Sequence, residues 1–284
     1  MRLLVLLAAL APVAAAQTPG WKLVWSDEFD RDGRPDPAKW TYETGFVRNQ
    51  ELQWYQPENA WCEKGLLVIE GRRERKMNPD FAAGAALSAV FPVLFPSLQS
   101  YWKTNRAYAE YTSASLTTTG IASWRYGRFE MRGRIDMRAG LWPAFWSVGV
   151  EGRWPNNGEI DIMEYYRGTL LANLIWAGKG GYGRWTSFTR RKPIASFADP
   201  QWAAKFHIWR MDWDEHRIVI SVDGEVLNDS DLNRAANPDG KNGFRQAQSI
   251  ILNLAIGGTA GGDPSATGFP ARFEVDYVRI YQKQ

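Results

Sequence analysis

Tyr126-Gly127-Arg128-Phe129-Glu130-Met131-Arg132-Gly133-Arg134-Ile135 alternates charged and apolar side chains. Residues two apart on a β-strand share a face. Phe129, Met131 and Ile135 therefore point one way, and the charged residues point the other. This is a strand with one face on a core and one in water. Arg217-Ile218-Val219-Ile220-Ser221-Val222 follows the same rule and ends in Asp223-Gly224, a tight hairpin signal. Further strand-like pieces are Leu23 to Trp25, Leu66 to Ile69, Phe145 to Val148, Ile250 to Ala255 and Phe273 to Tyr281, with turn residues between them. Long helical periodicity is absent, and the best helix candidate is short, around Pro200 to Lys205. The pattern predicts an all-β fold, a sandwich of two antiparallel sheets. No internal repeat, low-complexity stretch or linker divides the chain, so one domain is expected over residues 17–284.

Residues 1–16 read as a secretory signal. Arg2 supplies charge, Leu3 to Leu10 the apolar centre, and Ala14-Ala15-Ala16 a small-residue cleavage site. The run is short for spanning a bilayer, so no stable membrane insertion is expected. An exported or periplasmic protein with the single cysteine Cys62 has no internal disulfide, and its core must supply the stability. Only two histidines, His207 and His216, leave little room for a His-based triad or zinc site. A formal net charge of +3 gives no reason to expect nucleic acid. Fifteen Trp and eleven Tyr are more telling, since indole faces stack on the C–H faces of sugars. Large aromatics also fill sandwich cores, and both uses are expected.

The chemistry concentrates in Glu159-Ile160-Asp161-Ile162-Met163-Glu164, after the turn-like Trp154-Pro155-Asn156-Asn157-Gly158. Ile160 and Ile162 fit a core-facing side, which leaves Glu159 and Asp161 together on the other. Plain alternation would put Glu164 on the wrong side. If Met163 is the extra residue of a β-bulge, Glu164 rotates back beside the other two acids. No Lys or Arg alternates with the three to neutralise them. Crowded carboxyls repel, so at least one holds its proton above its usual range. Carboxyls in two protonation states are what acid-catalysed glycoside cleavage needs.

One stretch is odd. Phe81 to Leu98 is rich in Ala, Phe and Pro and long for a loop, and an ordered flap packed on the domain is expected there.

The acids and their surroundings resemble glycoside hydrolase family 16 along nearly the whole chain after the leader. The matching pieces include Leu23 to Asp30, Asn49 to Tyr55, Trp124 to Glu130, Gly140-Leu141-Trp142-Pro143-Ala144-Phe145-Trp146, Leu252 to Gly258 and Val275 to Tyr281. The resemblance implies a β-jelly-roll with a substrate cleft on its concave sheet. It implies a retaining endo-hydrolase of β-linked polysaccharides, acting as a monomer and needing no cofactor for catalysis. Glu159 matches the family's nucleophile, Glu164 its acid/base, and Asp161 the acid that tunes both. With a bulge, Glu159 and Glu164 are four effective steps apart, roughly 13 Å between Cα atoms. Leaning side chains and strand curvature must bring the carboxyls to the ~5–5.5 Å that retention requires.

By the same resemblance, Trp142, Trp146, Asn49, Asn173 and Trp176 are expected to contact substrate, although Trp146 could equally fill the core. Asn173, Leu171 and Ile175 should share the cleft face of the strand after the acids. Many β-1,3-glucanases of the family carry threonine and histidine where this chain has Asn173 and Ile175. They often carry tryptophan after the glycine pair, where this chain runs Thr259-Ala260-Gly261-Gly262-Asp263. A structural calcium on Glu28, Gly65 and Asp276 is also implied, with Asp276 simply pairing with a base as the alternative. A β-1,3- or mixed β-1,3/1,4-glucan is the first-choice substrate. Galactans such as agar, porphyran or carrageenan, a transglycosylase, and a non-catalytic glycan-binding protein on the same fold stay open.

Overall fold

The computed structural model describes residues 19–81, 102–180 and 183–284. Residues 1–16, read as a leader, and the apolar insertion, apart from Phe81, lie outside the described residues. The strands are, in chain order, β1 (Trp21–Asp27), β2 (Thr41–Tyr42), β3 (Gln53–Tyr55), β4 (Ala60–Glu63), β5 (Leu66–Gly71), β6 (Lys76–Met77), β7 (Tyr108–Ala109), β8 (Tyr111–Ser113), β9 (Ser115–Thr117), β10 (Gly127–Ile135), β11 (Leu141–Gly149) and β12 (Glu159–Tyr166). They continue with β13 (Thr169–Ala177), β14 (Trp185–Pro193), β15 (His207–Trp213), β16 (Arg217–Val222), β17 (Glu225–Asp231), β18 (Gln248–Ile256) and β19 (Ala271–Lys283). Among the described residues helix is limited to short turns, one of them at Trp202–Ala204, inside the segment expected to be helical.

Two antiparallel sheets face each other. One runs β17-β16-β15-β10-β19-β5-β4, with β1 also on β19, and the other runs β14-β13-β12-β11-β18-β9-β2. The alternation read at residues 126–135 is what holds them together. Phe129, Met131 and Ile135 of β10 enter one shared core. They meet Leu141 and Phe145 of β11, Ile160 and Ile162 of β12, and Ile250, Leu252 and Leu254 of β18. Most of these side chains are fully buried, and each contributes ~1.5–3 kcal/mol of transfer free energy.

The opposite face of β10 carries cross-strand ion pairs: Arg128 with Asp212, Arg210 with Glu130, and Arg134 with Glu274. The many charged residues are thus largely matched on the solvent face, which is why net charge carries no functional signal. The Asp223-Gly224 turn forms as read. Val222 pairs with Glu225, and both turn residues have positive φ, 49° and 85°.

Gly257-Gly258, just after β18, anchors the loop that enters the cleft. Gly257 bridges to Glu51, and the Thr259 N–H donates to the Asn49 carbonyl at 2.8 Å. Gly258 has φ +69°, and a Cβ there would lie 2.7 Å from the Asn49 carbonyl oxygen. Gly258→Ala is expected to cost about 1–3 kcal/mol through overpacking against this backbone. A lowered urea midpoint with unchanged slope checks it.

Candidate active site

A cleft of about 900 Å³ crosses the seven-stranded sheet, lined by residues from β2 at one edge to β14 at the other. Its chemistry depends on a count. From Glu159 to Glu164, β12 advances five residues, while β11 advances four, from Val148 to Ala144. On the other side β13 also advances four, from Ile175 to Leu171. The even effective separation puts both glutamates on one face. The bulge is therefore present, but the β11 ladder steps from Asp161 to Met163 and leaves Ile162 as the unmatched residue. On the β13 side both Ile162 and Met163 are unmatched, so the bulge belongs to the pair. Both point into the core with no exposure, because two consecutive apolar side chains can share one position there.

Each acid is held by nitrogen donors. Trp154 Nε1 donates to Glu159 Oε2 at 2.7 Å, and Trp142 Nε1 donates to Glu164 Oε1 at 2.8 Å. Asn173 Nδ2 donates to both Asp161 Oδ2, at 2.8 Å, and Glu164 Oε2, at 2.9 Å. These bonds favour the ionised forms, yet burial outweighs them. Burial, then the charge of Asp161, pushes Glu164 up to about 8. Burial pushes Asp161 up to about 6, against hydrogen bonds from Asn173 and Glu159. Burial and the other two acids hold Glu159 well above the carboxylate range. The trio titrates as a unit and holds protons at neutral pH.

Around the acids, Trp142, Trp146, Asn49 and Asn173 all line the cleft. Trp146 Nε1 donates to Asn253 Oδ1 at 2.7 Å, and the Arg48 guanidinium stacks over its ring at 4.9 Å. Arg48 is ion-paired with Glu43, which also accepts from Ser115. Glu51 is 2 % exposed and accepts from Gln53 Nε2 at 2.7 Å, pinning the loop beside Asn49. Leu171 and Ile175 share the cleft face with Asn173, as the alternation required.

One expectation needs correction. Trp176 does not reach the cleft. It is one step out of phase with Asn173 and Ile175, so it points into the core, 4.7 Å from the Phe188 ring. Of the residues named for calcium, Glu28 has both carboxylate oxygens accepting from Arg279, and Asp276 Oδ2 accepts from Arg132 at 2.5 Å, the pairing with a base read as the alternative for Asp276. Among the described residues no three His, Cys, Asp or Glu side chains gather as metal ligands.

Sequence reading also passed over Trp154, treated as part of a turn, and over Arg48 and the indole of Trp185. Trp154 had a local signal, an aromatic five residues before an acid in the same turn. The others come from the neighbouring loop and the edge strand β14, whose places in the cleft no local pattern reveals.

Comparison with known proteins gives a consistent picture. The profile of the family described as "Glycosyl hydrolases family 16" matches residues 97–279. A protein of Rhodothermus marinus named beta-glucanase is 35% identical, over 94% of this chain and 87% of its own. The catalytic domain of an endo-1,3-beta-glucanase (laminarinase) from Thermotoga petrophila superposes with a TM-score of 0.75 at 32% identity, covering 93% of this chain and 98% of that one. A structure from work on endo-acting O-glycanases that human gut bacteria use to initiate mucin breakdown superposes with a TM-score of 0.81 at 33% identity, covering 94% and 93%.

Proposed function

The chain belongs to glycosyl hydrolases family 16 and is a glycosidase with a β-jelly-roll fold; from that premise we propose that it cuts β-1,3- or mixed β-1,3/1,4-linked glucan internally, with retention of configuration. The even register between Glu159 and Glu164 is the observation that carries the chemistry. The names of its relatives support the glucan.

In this reading Glu164 enters the reaction protonated, as its elevated pKa provides at neutral pH. It donates that proton to the leaving glycosidic oxygen. Glu159 attacks the anomeric carbon from the opposite side, forming a glycosyl ester as the C–O bond breaks. Glu159 and Asp161 are hydrogen-bonded, so the proton they hold passes to Asp161 as Glu159 becomes the nucleophile. Glu164, now a carboxylate, takes a proton from water, which opens the ester and returns the enzyme to its starting state. Trp154 fixes the nucleophile's outer oxygen, and Asn173 ties the acid/base to Asp161. Export through the leader read at residues 1–16 belongs to the same proposal, because a polysaccharide is met outside the cell. Among the described residues no helix is long and apolar enough to cross a membrane.

A mucin O-glycan is the second reading, carried by the O-glycanase neighbour. Asn173 and Ile175, standing where many glucanases of the family have threonine and histidine, are compatible with it. Incubating the purified protein with laminarin, lichenan and mucin O-glycans separates the two. The expected result is a ladder of oligosaccharides from laminarin or lichenan. Cleavage of mucin glycans alone would install the second reading. No cleavage of any of the three would overturn both.

A further inference from the structure

Trp185 is the most exposed tryptophan among the described residues, at 56%. It lies on the edge strand β14 and lines the cleft together with Thr189 and Arg191. Phe188, on the opposite face of the same strand, packs against Trp176 and fixes β14 to the core. The pleat then turns Trp185, Ser187, Thr189 and Arg191 to the cleft side. The Ser187 and Thr189 hydroxyls are 2.9 Å apart and hydrogen-bonded to each other. Among the described residues Trp185 joins none of the ring stacks that fill the core, such as Trp176 with Phe244, so packing there gives no reason for an indole.

Its distance from the acids follows from the ladder. Ser187 pairs with Ile175, and Ile175 pairs with Glu159. β14 is two strands from β12, about 10 Å, and Trp185 is two residues beyond the Ser187 row, about 7 Å along the strand. The indole is thus roughly 12 Å from the Glu159 backbone, farther than the ring held at the cut. The sheet is lopsided about the acids, with two strands on the β14 side and four on the β2 side. Trp185 therefore stands at the outer limit of the shorter arm.

We propose that Trp185 forms an outer sugar-binding subsite at the β14 end of the cleft. It takes a pyranose ring of the same glycan on its indole face. A rigid exposed indole offers a large stacking area at little entropic cost. This rests on the reading of the cleft as a glycan site. Binding energy at a remote ring favours long chains over short ones.

The test is calorimetric titration with oligosaccharides of increasing length, from the polymer the enzyme cuts, into Glu159→Gln protein with and without a second change. Adding Trp185→Ala should weaken binding of the longest oligosaccharide about tenfold and of the shortest less than twofold, whereas Trp185→Phe should retain most of the affinity. Equal losses at every length, or no loss at any, would overturn the subsite. Failure of Glu159→Gln alone to bind any oligosaccharide would overturn the glycan reading, and the subsite with it.

Discussion

Glu159→Gln should reduce turnover roughly 10⁴-fold, the scale on which loss of a covalent catalytic group is felt, and yet leave the protein at least as stable. Both halves come from the same geometry. The glutamine keeps the shape of the glutamate. Its carbonyl oxygen can accept from Trp154 Nε1, where Glu159 Oε2 now accepts at 2.7 Å. Its amide can donate to Asp161, the hydrogen-bonded neighbour. What disappears is a nucleophile and an ionisable group that burial and two other acids hold well above its ordinary pKa. A carboxyl whose pKa is raised by folding adds stability at low pH and loses it as pH climbs through the folded-state value. The trio has Asp161 raised to about 6 and Glu164 to about 8, so the wild type should weaken progressively from acid to mildly alkaline pH. With one buried acid fewer, the variant's melting temperature should exceed the wild type's by a margin that widens over that range. Melting curves at several pH values check this. A variant that loses stability as pH rises faster than the wild type would contradict the picture of a repulsive buried cluster.

Glu164→Gln should fail differently. A general acid contributes typically 10²–10⁴-fold, and its contribution is largest when the leaving group is a poor one. Turnover of the polymer, whose leaving group is a sugar alkoxide, should fall by about that factor. Aryl glycosides with acidic phenols need no proton, so their first, glycosyl-forming step should proceed at close to the wild-type rate. The second step still lacks its base, so a burst of phenol followed by slow release is expected in stopped-flow measurements. Added azide, a nucleophile that needs no base, should restore turnover and give the β-glycosyl azide. Glu159→Gln should show neither burst nor this product. Equal losses for polymer and activated glycosides in Glu164→Gln would show that Glu164 does not serve as the acid.

Much of the architecture could be read in advance because it is written in local alternation. The faces of β10 and β16, the Asp223-Gly224 turn and the cleft-facing set Leu171, Asn173 and Ile175 each follow from a period of two. The bulge was legible as a necessity, since three acids in six residues could not otherwise share a face. Its exact seat was not, because Ile162 and Met163 are both apolar and both fit the core. Trp176 was misjudged when phase was set aside: it is one step out of register with Asn173 and Ile175, so it faces inward. The pairing of the Glu28 and Asp276 side chains was hidden for a longer-range reason. Arg132 and Arg279 reach Asp276 and Glu28 across neighbouring strands, and no local spacing reveals such pairing. Arg48 and Trp185 were invisible for the same cause, since each enters the cleft from a loop or an edge strand placed by the whole sheet.

The most direct measurement is to trap the intermediate. A 2-deoxy-2-fluoro β-glycoside with a good leaving group, matched to the cleaved glycan, should label the wild-type protein with one sugar, and peptide mass spectrometry should find it on Glu159. A label on Asp161 or Glu164, or first-formed product with inverted anomeric configuration by NMR, would contradict a kinked strand that sets its two glutamates on either side of one anomeric carbon.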